Sequence, residues 1–463
     1  SSGSTSAGYS GSSGRGSSFS AGTSGVSPAS SSGSSSGAAG MTGAAGFFVN
    51  VRPRSEKSSS SRSISGSAAI SSSGSGSGSS SGSSSGTEEG PHIVWTYKKK
   101  SDGTIYLNGY DATAEIVPNG NVTIPAKYDG FVVSELRYPL FYENNDIEQV
   151  TIPETVTIIG SQAFQRCKNL LSVTLTEGLK EIGDSAFRSC GLERLTLPES
   201  LTKVGDSAFA SNVALETVVI KGKTEFELKT FDSCSNLTKV EFRNVIQTLP
   251  DYMFKDCAKL QTIQLPMKLK QIGKYIFIHC KLLDDVQLPD TVREIGGSAF
   301  DTCTSLRSIK IPDGVTEIKW SVFYNCENLT DVKIPSSVKL IGETAFAGCK
   351  ALTRIKLPVQ MSKIESAAFS RCSALQKIAL PEGIPEIANQ TFENCVSLQE
   401  IYIPASVKKV GAYAFNNCKS LNKVYFGGSE EMWGNVVIDS NDRYLTNTIM
   451  NRYWNQTAAS IGI

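Results

Sequence analysis

Histidine is almost missing from this chain: 463 residues contain two, His92 and His279. A nucleophile–base pair or a histidine metal triad therefore has nothing to be built from, and no phosphate-cradling loop occurs at a recognisable spacing. Net charge is nearly absent as well, since 45 Lys and Arg stand against 44 Asp and Glu to leave +1. That balance offers no bulk attraction to nucleic acid or an anionic membrane, so any charge-based binding must come from a local patch. No run of about 18 uninterrupted apolar residues exists to span a bilayer as a helix. No C-x-x-C or C-x-x-H pair is present, which argues against zinc. The chain reads as a non-enzyme with no cofactor and no metal.

The start of the chain lacks core-forming residues. Its first 90 residues hold 37 Ser and 19 Gly, a composition that cannot bury enough apolar surface to offset chain entropy. Residues 1–89 are thus expected to be a disordered linker or stalk, interrupted by the short island Gly46 to Arg54 (GFFVNVRPR). Two G-x-S-x-G matches, centred on Ser35 and Ser84, fall within this tract and not on a strand-to-helix turn, so they carry no hydrolase signal. The chain opens on Ser1 with neither an initiator Met nor a charged-then-apolar leader, as expected of a processed or truncated product.

What is abundant is repetition. Phe recurs at 164, 187, 209, 231, 254, 277, 300, 323, 346, 369, 392 and 415, in steps of 22 or 23. Three residues after each Phe stands Cys, except in the third unit, where Asn212 takes the place; all 11 Cys belong to this column. Gly precedes the Phe by four residues in many units, as at Gly160, Gly183 and Gly296, and marks a turn leaving a short strand. The other half of each unit reads L-x-x-[IV]-x-[IL]-P, as in Leu306 to Pro312. Alternation along a strand points Leu306, Ile309 and Ile311 inward and Ser308 and Lys310 outward, and Pro ends the pairing. A unit this small cannot enclose its own apolar face, so copies must stack and share one core. The odd Cys count and the spacing of one per coil point to buried free thiols acting as small hydrophobes.

Units such as Ile152 to Leu175 (IPETVTIIGSQAFQRCKNLLSVTL) resemble the BspA-like, or Treponema-type, leucine-rich repeat family over roughly Ile147 to Phe426. The stretch Lys223 to Cys234 departs most, with Glu227 at the Gly position and Lys221 where Pro is usual. The expected fold is an α/β-type repeat solenoid made mostly of short β-strands and turns, a right-handed leucine-rich repeat of about 12 coils. Its parts would be an N-terminal β cap at 90–146, the solenoid at 147–426, and a C-terminal cap and tail at 427–463. The N-terminal cap carries Asn119-Gly120 and Asp129-Gly130 turn signals. The resemblance implies a bacterial secreted or surface protein that binds host or neighbouring-cell molecules; a cell-surface assembly scaffold is the alternative, and a carbohydrate-active enzyme a distant third.

Outward strand positions form columns down the presented sheet. One gathers Lys310, Lys333 and Lys356 and then reaches Tyr402 and Tyr425; its neighbour adds Arg354 and Lys377. Adjacent ammonium groups held about 5 Å apart repel by on the order of 0.8 kcal/mol in water. Such a stripe is either solvated surface, offset by Asp285 and Asp331, or a ligand site. As a site it suits an acidic glycan or an acidic protein segment, with the Tyr faces at one border. Trp320, at a turn position filled elsewhere by Ser161, Asp184, Asp206 and Glu343, is a second candidate, and His279 reads as a solvated turn residue. The expected partner is therefore a protein or acidic glycan, engaged by a monomer without nucleic acid or a membrane span.

Overall fold

The computed structural model describes residues 92–446 and 451–462. The Ser/Gly-rich segment at 1–89, with its island at 46–54, lies outside the described residues. Each repeat contributes a short strand to each of two parallel ladders, except that the repeat at 352–358 enters the presented ladder only through the isolated bridge from Arg354 to Lys377. On the presented side, Ser308–Lys310 pairs with Asp331–Lys333 so that Ile309 lies beside Val332 and Lys310 beside Lys333. On the second side, two-residue strands such as Glu317–Ile318 and Leu340–Ile341 pair in the same register, one side chain in and one out. Successive turns thus present identical positions to one another, about 4.8 Å apart.

The third side is closed by the Phe turn, where the backbone departs from the usual L-residue conformations. Residues two before and two after each Phe have positive φ although almost none is Gly: Ser298 is at 53° and Thr302 at 57°. This reversal lets alternate N–H groups face the next turn, so that Ser298, Phe300 and Thr302 donate to the carbonyls of Trp320, Val322 and Tyr324 at 2.9, 2.9 and 2.7 Å. The Gly four residues before Phe serves a different need. Its φ is ordinary, but a Cβ on Gly183 would come within 2.5 Å of the Ser161 nitrogen one turn earlier. Two left-handed residues per turn also interrupt helical φ, and the repeats hold no helix; the α/β expectation narrows to a β-solenoid, with helix among the described residues confined to Glu430–Gly434, Arg443–Thr446 and the 3-10 turn Ala459–Ile461.

Inside, the Phe rings form a continuous ladder with centroids 4.8–5.8 Å apart. It begins one turn earlier than the Phe–Cys signature indicates, with Phe141 stacked on Phe164 at 5.2 Å. Asn144 stands at the Cys position of that first turn, which hides the repeat in the sequence. The ladders likewise run past the signature at both ends, because Gly120–Thr123 pairs with Ile147–Thr151 and Asn451–Tyr453 pairs with Lys423–Phe426. The second ladder breaks between Glu225–Phe226 and Thr248–Leu249 in the irregular repeat, as it also does between Glu294–Ile295 and Glu317–Ile318 and between Lys363–Ile364 and Glu386–Ile387, and Phe231 keeps its place between Phe209 and Phe254.

All 11 cysteines are free and buried, and the structure adds a role that hydrophobicity does not provide. Each thiol donates to the carbonyl of the Phe one turn earlier, at 2.9–3.4 Å. Asn212, the one exception in the column, places its amide nitrogen 2.8 Å from the same acceptor on Phe187. Burial pushes the Cys234 and Cys372 thiols up to about 12, so they are poor nucleophiles.

Both ends are covered. Trp95 packs edge-on against Phe141 at 5.9 Å, and at the far end Trp433 packs edge-on against Phe426 at 5.1 Å. The last Phe, Phe415, has no further turn to donate to; its N–H instead reaches the Asp442 carboxylate at 2.8 Å. Burial pushes that carboxyl up to about 6.

Two predictions follow from this packing. Phe300→Ala removes a ring held between Phe277 and Phe323 and should cost about 3 to 5 kcal/mol, because in-register neighbours cannot collapse into the gap. Denaturant midpoints should separate it from the exposed Ser308→Ala; equal midpoints would refute the ladder. Asn212→Cys should fold with stability within about 1 kcal/mol of the native chain, whereas Asn212→Ala, which leaves a buried carbonyl short of a donor, should lose about 1 to 3 kcal/mol in the same measurement.

Candidate functional site

The presented sheet gathers the basic residues as strand alternation requires. Lys310, Lys333, Arg354, Lys356 and Lys377 are all exposed on one face, with Lys310 beside Lys333 and Arg354 bridged to Lys377. Their electrostatic surroundings differ. The Lys310 ammonium lies 3.1 Å from Asp290, and Lys377 lies 3.1 Å from Glu400. Among the described residues no carboxylate comes within 4.0 Å of Lys333, Arg354 or Lys356. The stripe of five therefore contains a central patch of three cations without a direct ion pair, with Asp331 one turn before Arg354 in the same column.

Glu400 closes one end of the stripe. It is mostly buried between Lys377 and Lys423, at 3.1 and 3.0 Å. Burial pushes its carboxyl up, yet the two ammonium groups outweigh this and hold it below the usual glutamate range.

The aromatic border departs from the sequence reading. Tyr402 is only 2% exposed; its hydroxyl donates to Glu382 and lies so close to Gly427 that a Cβ there would approach it to 2.7 Å. Burial, followed by the hydrogen bond to Glu382, pushes its phenol up. Alternation predicts which face a side chain leaves from, but a long ring can then lie down along the turn. Tyr402 offers no face to a ligand. Tyr425 is half-buried and stacks on Tyr453 at 5.0 Å.

Trp320 sits on the Phe-turn side and not with the stripe. It is 37% exposed and lies over Gly297, where a Cβ would meet the indole at 2.2 Å. It packs edge-on against Tyr275 at 5.3 Å, which in turn stacks on Tyr252 at 4.7 Å. The neighbouring His279 has a partner the sequence does not reveal, with Nδ1 2.8 Å from Asp256.

Two residues that sequence reasoning missed border the stripe. Met267 and Val359 are 82% and 77% exposed, more than any other large hydrophobic side chain among the described residues. Both directly follow a strand-ending Pro, a position held by Glu154, Glu199, Asp290 and Asp313 in other turns. That break in the column was the available signal. Met267 lines a shallow groove of about 590 Å³ with Leu265, Leu288, Gln264, Gln287 and Asp290. Among the described residues no group of three or more His, Cys, Asp or Glu side chains is placed to hold a metal ion, and no helix is long and apolar enough to cross a membrane.

A family model described as a BspA type leucine rich repeat region matches in 6 copies, over residues 134–228, 224–353 and 317–444. A leucine-rich repeat protein from Bacteroides ovatus is 28% identical with a TM-score of 0.57, the match covering 80% of this chain and 100% of that one. A leucine rich cell surface protein from Faecalibacterium prausnitzii is 28% identical with a TM-score of 0.49, covering 76% of this chain and 100% of that one. No curated protein matches the chain.

The Glu400 pair predicts a pH effect. A carboxyl held below its unfolded value contributes stability that is present above the unfolded pKa of about 4.3 and is lost as pH falls through the lower folded value. Glu400→Gln should therefore lower stability near pH 7, and the difference from the native chain should shrink as pH falls below about 4. Urea midpoints between pH 7 and pH 3 test it; a difference constant across that range would refute the pairing.

Proposed function

The chain belongs to the BspA-type leucine-rich repeat family, and from that premise we propose that it is a non-enzymatic recognition protein, acting outside the cell or at its surface, whose presented sheet binds an acidic partner. The observation that carries this reading is the central patch, Lys333, Arg354 and Lys356. Elsewhere on the stripe the fold supplies carboxylates, Asp290 to Lys310 and Glu400 to Lys377. At the patch Asp331 stands one turn before Arg354 but forms no ion pair within 4.0 Å, and like charges held about 5 Å apart cost stability unless a ligand neutralises them. The family's repeat architecture supports the same reading, because a solenoid presents an extended surface and not a closed, dry pocket. Secretion and adhesion follow from the family resemblance and belong to this proposal.

The test uses the full chain against an array of matrix proteins and acidic glycans, with heparin and polyglutamate as defined probes. Binding should weaken as salt shortens the screening length from about 10 Å at 0.1 M to about 3 Å at 1 M. A Lys333→Glu, Lys356→Glu variant should fold, since both side chains are exposed, and should lose at least about tenfold in affinity. Unchanged affinity and an unchanged salt response in that variant would overturn the proposal.

A further inference from the structure

We propose that the basic patch lies at one end of a longer site, and that its occupant is an extended acidic protein segment with an apolar side chain on each side of its acidic run. This rests on the reading that the patch binds an acidic partner, and adds Met267 and Val359 as apolar contact points at the two ends. The position after the strand-ending Pro points into solvent, which is why it holds Glu154, Glu199, Asp290, Asp313 and Glu382 in other turns. A large apolar side chain there gains no burial from the fold. Yet the two that occur are the most exposed of their kind among the described residues, and both stand beside the stripe.

Their placement sets the spacing of the partner. Val359 follows Lys356 by three residues in the same turn, and Met267 lies two turns before Lys310. The two are four turns apart in one column, about 19 Å at 4.8 Å per turn. An extended chain covers that distance in about six residues at roughly 3.3 Å each. Between them the column carries Asp290, Asp313 and Ser336; Lys310 neutralises the Asp290 carboxylate at 3.1 Å, and the partner's acidic run follows the adjacent Lys310, Lys333 and Lys356 column, so that its carboxylates meet the ammonium groups and not Asp313. At the Met267 end the groove offers Leu265 and Leu288 as an apolar wall, and Gln264 beside Gln287 as donors and acceptors. An acidic glycan could match the charges but has no alkyl side chain to set against Met267 and Val359. A peptide segment matches both.

The test compares two synthetic peptides, each with a run of glutamates, flanked in one by two leucines about six positions apart and in the other by two serines, together with a heparin-derived oligosaccharide. Calorimetry on the full chain should show the leucine peptide binding about tenfold tighter than the serine peptide, the scale expected for partly burying two leucines. In a Met267→Ser, Val359→Ser variant, whose altered side chains are solvent-exposed, the leucine peptide should fall to the serine peptide's affinity while the latter stays unchanged. Equal binding of both peptides to the native chain would overturn the two-ended site, as would binding of the oligosaccharide alone. If binding of the serine peptide is then lost in the Lys333→Glu, Lys356→Glu variant, the patch survives as a charge-only site. If no acidic probe binds the native chain, both readings fall.

Discussion

Everything in this molecule depends on stacking successive turns in register. A repeat of 22 or 23 residues cannot bury its own apolar face, so each Phe must find the next Phe at ring-contact distance, and alternate backbone N–H groups on the turn side must find the next turn's carbonyls. The Cys column is a consequence of the same demand. The Phe carbonyl is buried within the turn, and a small side chain that packs apolarly and still donates a hydrogen bond satisfies it. Asn212 shows that the donor matters, because the one side chain that replaces Cys within the twelve Phe-marked repeats from Phe164 to Phe415 supplies an amide to the same carbonyl.

Register also explains how the ends are finished. Phe141 and its turn continue the ladders while dropping the Cys, and Asp442 supplies an oxygen where the next carbonyl would have been. Placing a carboxylate there has an electrostatic cost, visible in its raised pKa, but an unpaired backbone N–H in the core would cost more. The caps are thus continuations of the backbone pattern, with aromatic lids formed by Trp95 and Trp433.

The same stacking turns sequence columns into surface features. Residues 23 apart become neighbours at about 4.8 Å, which concentrates Lys333, Arg354 and Lys356 and sets Met267 and Val359 along one edge. Whether such neighbours form a binding surface is then decided by the carboxylates that reach them. Asp290 and Glu400 reach the two ends of the stripe and leave its middle open.

The sequence by itself determined the repeat, the inward Phe and Cys columns and the outward Lys stripe, because strict periodicity maps position in the unit onto position in the coil. It did not reveal Phe141 as a rung, since the Cys that marks other rungs is Asn144 there. Nor could it place Tyr402, which leaves the outward face and lies down to reach Glu382, or the partners of His279 and Lys310. Those were decided by tertiary structure, for a physical reason. Periodicity fixes where a Cα sits and which way its Cβ points, whereas the tip of a long side chain lies several ångströms further out and goes where hydrogen bonds and charges from other turns draw it.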